Sequence, residues 1–557
     1  MKLKTNKILL INLPYWTPLI PSQGIANLKS YLIENGYQVK AIDFANDYDL
    51  LQFYNQYFQL LEKYLPAGNK GNFFNIGHDL LRNHLTAYIN KTSRYDEVLE
   101  ILIDKFYFVK LDKTVYRQLD FLAESIFQKL KLLILDALKS YSPSVIGISV
   151  NSGNYPLALF SFKLSKEFYP DIHTVMGGSV FYDNLDPDNP NFNNFYKSTE
   201  LYIDNIIIGK GEQLLLELLE STDTTSSNIL TSKNIKNNIE IDVQPDLSDY
   251  NLNNYYYLAA STSSSCPNEC DFCNVRKYFG TYKTKNLKSS ANYIKQLYDK
   301  YGHRLYFMAD SQLNRTIDDF TKELLLLDMP IYYDGYFSID KASSDVNNTI
   351  NWRKGGFYRA RIGVESGSPN ILNKMNKNIS PSSISLSLQS LAMAGIKTTT
   401  YFVVGYPGET EKDFYETLAF ISKEKHNIYQ AECNPFTYHY SGLNNFDGSK
   451  DKVIKMFPDF FEDMLVPQAW TLNQEPLHEE RFRRMNIFVE HCENEGVPNP
   501  YTIGEIKEAD ERWQYLHKNA VPSIIEILNN DKIDEKRNVR IPQRFQNNIY
   551  EKDCFNF

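Results

Sequence analysis

Ser265-Cys266-Pro267-Asn268-Glu269-Cys270-Asp271-Phe272-Cys273 puts three cysteines within eight residues, in the spacing C-x3-C-x2-C. Three thiolates so close wrap one metal centre or share a loop by accident. Structural zinc usually takes four ligands, one C-x2-C pair being matched by another. No fourth Cys or His stands near; His303 is 30 positions beyond Cys273. A 4Fe–4S cluster held by three cysteines keeps one iron open, and an open iron can chelate the amino and carboxylate groups of a ligand. A zinc site or buried thiols are the alternatives.

Outward from this loop the chain alternates strand and helix. The expected strands are Tyr256–Ser261, Leu305–Ala309, Ile331–Phe337, Tyr358–Gly363, Thr398–Val404 and Ile428–Glu432, with helical patterns between most of them. Six parallel strands fit a partial (β/α)6 barrel over about 255–440, with its site at the carboxyl ends of the strands. The cysteine loop follows the first of these strands.

Upstream, Lys7–Leu13, Gln38–Phe44, Ser144–Val150, His173–Val180 and Asn205–Ile208 read as strands. Gln23–Asn35, Leu157–Phe168 and Glu212–Glu220 read as helices. Such β-α-β units favour parallel pairing, so residues 1–220 are expected to form a doubly wound, Rossmann-like sheet with a helical insertion at about 47–140. Residues 221–254, rich in Ser, Thr, Asn and Asp, read as a linker, and 441–557 as mainly helical and irregular.

Composition narrows the function. The net charge of −9 disfavours a nucleic-acid backbone as partner. No apolar run approaches the roughly 18 residues of a membrane span, and Ile8–Leu13 after a basic start reads as a strand, not a signal peptide. No membrane partner and a cytoplasmic location are expected. Six cysteines in 557 residues are not a disulfide framework.

C-x3-C-x2-C with the aromatic Phe272 before its last cysteine resembles the radical S-adenosylmethionine (SAM) superfamily. Three later segments strengthen the resemblance: Gly363-Val364-Glu365-Ser366-Gly367-Ser368, Lys374-Met375-Asn376-Lys377 and Gly405-Tyr406-Pro407-Gly408-Glu409-Thr410. It implies a 4Fe–4S cluster on Cys266, Cys270 and Cys273. It also implies SAM contacts from Phe272, Glu365, Ser366, Gly367, Lys377, Gly405, Pro407 and Gly408, and an electron donor such as flavodoxin or ferredoxin. Asp310 and Asn314, after the second strand, are weaker site candidates; Asp310 reads equally as a helix N-cap.

A doubly wound domain before such a barrel resembles the cobalamin-binding class of the superfamily. The matching turns carry Pro14, Ser22, Ser149, Gly177, Gly178, Gly209, Gly211 and Glu212, which the resemblance makes candidate cobalamin contacts. The D-x-H-x-x-G pattern that often supplies a cobalt ligand is incomplete: Asp171-Ile172-His173 lacks its glycine, and His173 reads as a strand-start histidine. A scaffold or peptide-recognition domain is the alternative. The opening Leu10-Ile11-Asn12-Leu13-Pro14 loosely resembles enzymes that mature ribosomal peptides.

The resemblance implies cobalamin-dependent methylation of an unactivated carbon on a small-molecule, natural-product or peptide substrate. The alternatives are epimerisation, cyclisation or rearrangement without methyl transfer, and a non-catalytic iron–sulfur protein. Cys433, at the end of the sixth barrel strand, is a candidate hydrogen donor for epimerisation, although a lone Cys is more often buried. Cys492 and Cys554 read as structural. Core packing is expected for Tyr255, Tyr256 and Tyr257, and helix packing, rather than a substrate cleft, for Trp470 and Trp513.

Overall fold

The computed structural model describes residues 7–15, 19–65, 70–182, 184–221, 228–231, 243–440 and 452–529. Cys554 and half of the expected linker, 222–227 and 232–242, lie outside the described residues.

The N-terminal sheet is fully parallel. Lys7–Asn12 lies between Gln38–Asp43 and Val145–Ser149, and the sheet continues through His173–Gly177 and Asn205–Ile208 to Ile229–Thr231. Ile8–Ile11 within Lys7–Asn12 is an unbroken apolar run because both faces of the strand are covered. Helices Gln23–Glu34, Tyr155–Phe168 and Gly211–Glu220 make the crossovers. The chain reverses direction across the sheet between Lys7–Asn12 and Val145–Ser149, so the crevice at their carboxyl ends is where such sheets bind ligands.

The expected linker is corrected. Ile229–Thr231 is the sixth strand of the sheet. Residues 246–249 are clasped to the domain, with Lys29 Nζ 3.3 Å from Asp246 and 2.8 Å from Asp249, and Asp249 accepting from Ala41 N at 2.8 Å.

The second sheet also has six parallel strands, in sequential order: Leu258–Ala260, Leu305–Met308, Tyr332–Phe337, Phe357–Glu365, Lys397–Val404 and Gln430–Pro435. This is the partial barrel. The C-terminal region closes it at two places. The helix His478–Asn494 packs beyond the last two strands, with Phe488 and Phe402 rings 5.1 Å apart. At the amino ends, Val521, Ile524 and Ile527 form an apolar cluster with Tyr257, Leu305, Tyr332 and Tyr358. Trp513 is buried and donates to Gly395 O at 3.1 Å, which fits the packing role expected of it. Tyr255 and Tyr257 are likewise buried.

The insertion is helical, comprising Tyr48–Tyr64, Lys70–Ile89, Val98–Tyr107 and Lys113–Tyr141. Its second helix reaches the mouth of the barrel, where Asn75 Nδ2 donates to Glu432 Oε1 at 3.0 Å.

Candidate functional site

The cysteine loop leaves the first barrel strand through Thr262 and Ser263. Both are bound by the buried carboxylate of Asp310, which accepts from Thr262 N at 3.0 Å, Thr262 Oγ1 at 2.8 Å and Ser263 Oγ at 2.5 Å. Asp310 is therefore an anchor for the loop's entry; the nearby helix Ile317–Leu327 has Thr316 at its N-cap. Asn314 instead ties strand ends together, donating to Ser338 O at 2.8 Å and Asp340 Oδ2 at 2.7 Å.

Ser265 turns the chain with a left-handed backbone, φ 64°, and donates to Gly280 O. Cys273 N donates to Cys270 O at 3.0 Å, which curls the loop so that its thiols share one region. The loop is also tied to the segment after the fourth strand: Asp271 N donates to Met375 O at 3.3 Å and Asn376 Nδ2 to Glu269 O at 3.1 Å.

Cys270 is buried, and Cys266 and Cys273 are half-buried. Burial pushes the Cys270 thiol up to about 11, against the pull of the Lys377 ammonium. Among the described residues no three His, Cys, Asp or Glu side chains converge closely enough for a single metal ion. Three cysteines on a cluster each bind a different iron, so they need not converge on one point.

Beside the thiols lies a buried ion pair, Lys377 Nζ to Glu365 Oε1 at 2.7 Å. Burial works against the Lys377 charge, yet Glu365 and the neighbouring cysteines hold its pKa above the ordinary lysine value. The ammonium is 5.7 Å from the centre of the Phe272 ring. Glu365 has φ 65°, rare for a residue with a side chain. Gly363 makes this geometry possible, since an added Cβ would lie 2.3 Å from Glu365 Oε1 and 3.0 Å from Lys377 Nζ.

The other expected SAM contacts divide. Ser366 Oγ bonds Thr417 Oγ1 at 3.0 Å, and a Cβ on Gly367 would strike Thr417 and Phe420, so both residues serve the packing of helix Glu411–Glu424. Gly405 leaves room for Arg481, whose Cγ would be 2.2 Å from an added Cβ, and its N–H donates to Glu409 at 2.7 Å. Gly408 O accepts from Lys374 Nζ at 2.7 Å. The turn that carries Pro407 is thereby fixed beside the loop segment, with Tyr406 OH donating to Lys374 O at 3.2 Å.

Two cavities meet at the cysteine loop. One, of about 500 Å³, lies between the domains and is lined by Tyr15, Ser152, Gly153, Tyr182, Phe272 and Cys273 among others. It opens at the reversal point of the N-terminal sheet. The other, of about 360 Å³, covers the barrel mouth between the insertion helix, Asn434–Tyr440 and the short strand Trp470–Leu472. Asn274, Tyr278 and His439 line both.

The candidate cobalamin contacts Pro14, Ser149, Gly177, Gly178 and Gly209 sit at or just past the carboxyl ends of their strands, and Ser22, Gly211 and Glu212 at helix starts. None of the eight lines the interdomain cavity itself; Tyr15, Asn151, Ser152, Gly153, Ser179 and Tyr182, just beyond them, form one side of it and the cysteine loop the other. Gly178 has an internal reason to be glycine, because a Cβ would lie 2.3 Å from Val150 O. Gly153, which sequence reading missed, yields its side-chain space to the Tyr15 ring, 1.5 Å from where its Cβ would be. His173 begins its strand at the opposite edge and bonds Asn205 Oδ1 at 2.8 Å.

Cys433 is placed away from the mouth. Alternation along Gln430–Pro435 turns Glu432 and Asn434 toward the mouth, whereas Cys433 is 1% exposed within the core near Cys492. Trp470, expected to pack in a helix, lies on a strand and lines the mouth cavity.

Residues 261–421 match the model of the radical SAM superfamily. Among curated proteins, the chain is 22% identical over 317 residues to an anaerobic magnesium-protoporphyrin IX monomethyl ester cyclase of Rubrivivax gelatinosus, covering 51% of this chain and 55% of that one. It is 24% identical over 321 residues to an uncharacterized methyltransferase of Pyrococcus horikoshii, covering 52% and 66%. It thus spans less than two thirds of either relative. Among solved structures, it is similar in fold to the radical SAM methyltransferase TsrM of Kitasatospora setae with cobalamin and a [4Fe-4S] cluster bound. That match has a TM-score of 0.58 at 13% identity and covers 96% of this chain and 99% of that one.

Proposed function

We propose, for a chain that belongs to the radical SAM superfamily and has the fold of its cobalamin-dependent members, a cobalamin-dependent methyltransferase acting on an unactivated carbon. The observation that carries this reading is the meeting of two cavities at one cysteine loop. A methyl carrier held in the interdomain cavity and a substrate held at the barrel mouth would face each other across Asn274, Tyr278 and His439.

The residues present fit the groups this chemistry needs. Cys266, Cys270 and Cys273 supply three thiolates without a fourth, as an open-iron cluster requires. Glu365 and Lys377 present opposite charges beside them, suited to the amino and carboxylate groups of SAM, and Phe272 offers a ring face. The interdomain cavity, at the reversal point of a doubly wound sheet, suits a large flat cofactor. When bound, the cluster supplies the electron that cleaves SAM and cobalamin supplies the methyl carrier. The chain's own part is to exclude water, orient both ligands and hold the substrate carbon in line. The substrate would be a small molecule or a peptide, and flavodoxin or ferredoxin would bring electrons.

A non-methylating epimerase needs a hydrogen donor at the mouth, and the burial of Cys433 favours methyl transfer over that reading. Anaerobic expression with added cobalamin tests the proposal. Cobalt near one equivalent per chain, together with S-adenosylhomocysteine formation, is expected. No cobalt in protein with an intact cluster overturns the methyltransferase reading.

A further inference from the structure

The mouth cavity carries more information than its position. Its volume of about 360 Å³ is near the small end of ligand pockets, which run from about 300 to 1,000 Å³. That is room for one ring system with its substituents. Tyr440 and Trp470 form an aromatic wall, their rings 4.6 Å apart.

The polar atoms on the wall are of two kinds. The Trp470 indole Nε1–H is shielded from solvent and has no acceptor among the described residues. A buried donor left unpaired is costly, so a ligand acceptor that reaches it through a small shift of the ring would be held strongly. Opposite in kind are Asn75 and Asn434, which also line the cavity. Each donates an amide hydrogen to Glu432 Oε1, at 3.0 and 3.4 Å, and so keeps its amide oxygen as an acceptor.

The charges on the wall disfavour an anion. Arg82 is paired with Asp79 at 2.9 Å. His478 Nε2 is engaged with Lys105 O at 2.9 Å. The Glu432 carboxylate stands behind both amides. Each amide keeps a second N–H, but a propionate or phosphate that took it would stand against the Glu432 carboxylate.

We infer that the group bound at the barrel mouth is a neutral, compact aromatic or heteroaromatic unit with both a hydrogen-bond donor and an acceptor, stacked on Tyr440 and Trp470. The assignment of this cavity to substrate rests on the proposed function. The inference excludes a free tetrapyrrole acid as substrate, although one relative of this chain is named for a protoporphyrin ester.

Calorimetric titration of the full-length, anaerobically reconstituted protein tests this without turnover. The probes are N-acetyl-L-tyrosinamide, its carboxylate counterpart N-acetyl-L-tyrosine, and protoporphyrin IX. The neutral amide should bind at least about 10-fold tighter than the carboxylate, and the porphyrin should not compete with it. Trp470→Phe keeps a ring but removes the N–H, and should weaken the amide about 3- to 10-fold while iron content is unchanged. Tyr440→Leu should weaken it further. Equal binding of amide and carboxylate, competition by the porphyrin, indifference to Trp470→Phe, or no binding of the amide would each overturn the inference. Cobalt content, measured on the same protein, reports the methyltransferase reading separately.

Discussion

Tyr278 of the cysteine loop stacks on Tyr182 of the N-terminal domain, with ring centroids 5.0 Å apart and planes 30° apart. Tyr278 also lines both cavities, so this pair joins the two halves of the site. Ring pairs contribute about 0.5–1.5 kcal/mol beyond their buried area. Tyr278→Ala should leave iron content intact and weaken cobalamin retention about 3- to 10-fold, read by cobalt content across a cobalamin titration. Retention equal to that of the wild type would mean that the stack does not shape the interdomain cavity.

The Glu365–Lys377 pair is the second test. Removing one partner of a buried ion pair costs about 3–5 kcal/mol because the other charge is stranded. Lys377→Met should therefore raise the Kd for SAM at least about 10-fold, with the cluster still assembled. Gly363→Ala should act in the same direction, since its Cβ would press on the same two charges. SAM titration followed spectroscopically distinguishes these losses from loss of iron.

Gly153→Ala tests the reversal-point crevice. The added methyl falls inside the Tyr15 ring, so the ring must leave its place on the crevice wall. Cobalt loading should fall severalfold, whereas binding of iron and SAM should persist. A variant that loads cobalt normally would show that Tyr15 does not line the cofactor's place.

Asp413 gives a pH signature. Burial alone would raise its pKa, but hydrogen bonds from Ser368, Thr410 and Asn370 hold it at about 2. Those bonds link the Glu365–Ser368 segment to the turn at Gly405–Thr410. A depressed carboxylate contributes stability that is complete above its ordinary value near about 4 and lost as pH falls through its folded value. The stability gap between wild type and Asp413→Asn should be full at neutral pH and shrink between about pH 4 and pH 2. Denaturant midpoints across that range measure it.

Much of this arrangement was legible in the sequence. The six barrel strands stood out by their alternation with helical segments, despite Asp334, Arg359, Arg361 and Glu432 within them, and the loop announced itself by cysteine spacing. Ile229–Thr231 stayed hidden because three residues in a Ser- and Thr-rich stretch carry no periodicity. The orientation of Cys433 was available from strand alternation: Glu432 and Cys433 must face opposite ways. The role of the insertion was not available, because Asn75 meets Glu432 across 357 positions of sequence. The demands on Gly153 and Gly363 likewise come from side chains brought in by the fold.

EPR of the anaerobically reconstituted, dithionite-reduced protein, with and without SAM, addresses the three thiols most directly. Roughly four irons and four sulfides per chain are expected, with a reduced-cluster signal that shifts when SAM is added and disappears in Cys270→Ala. One zinc-like metal per chain, or a cluster signal that does not respond to SAM, would contradict an open iron held by Cys266, Cys270 and Cys273.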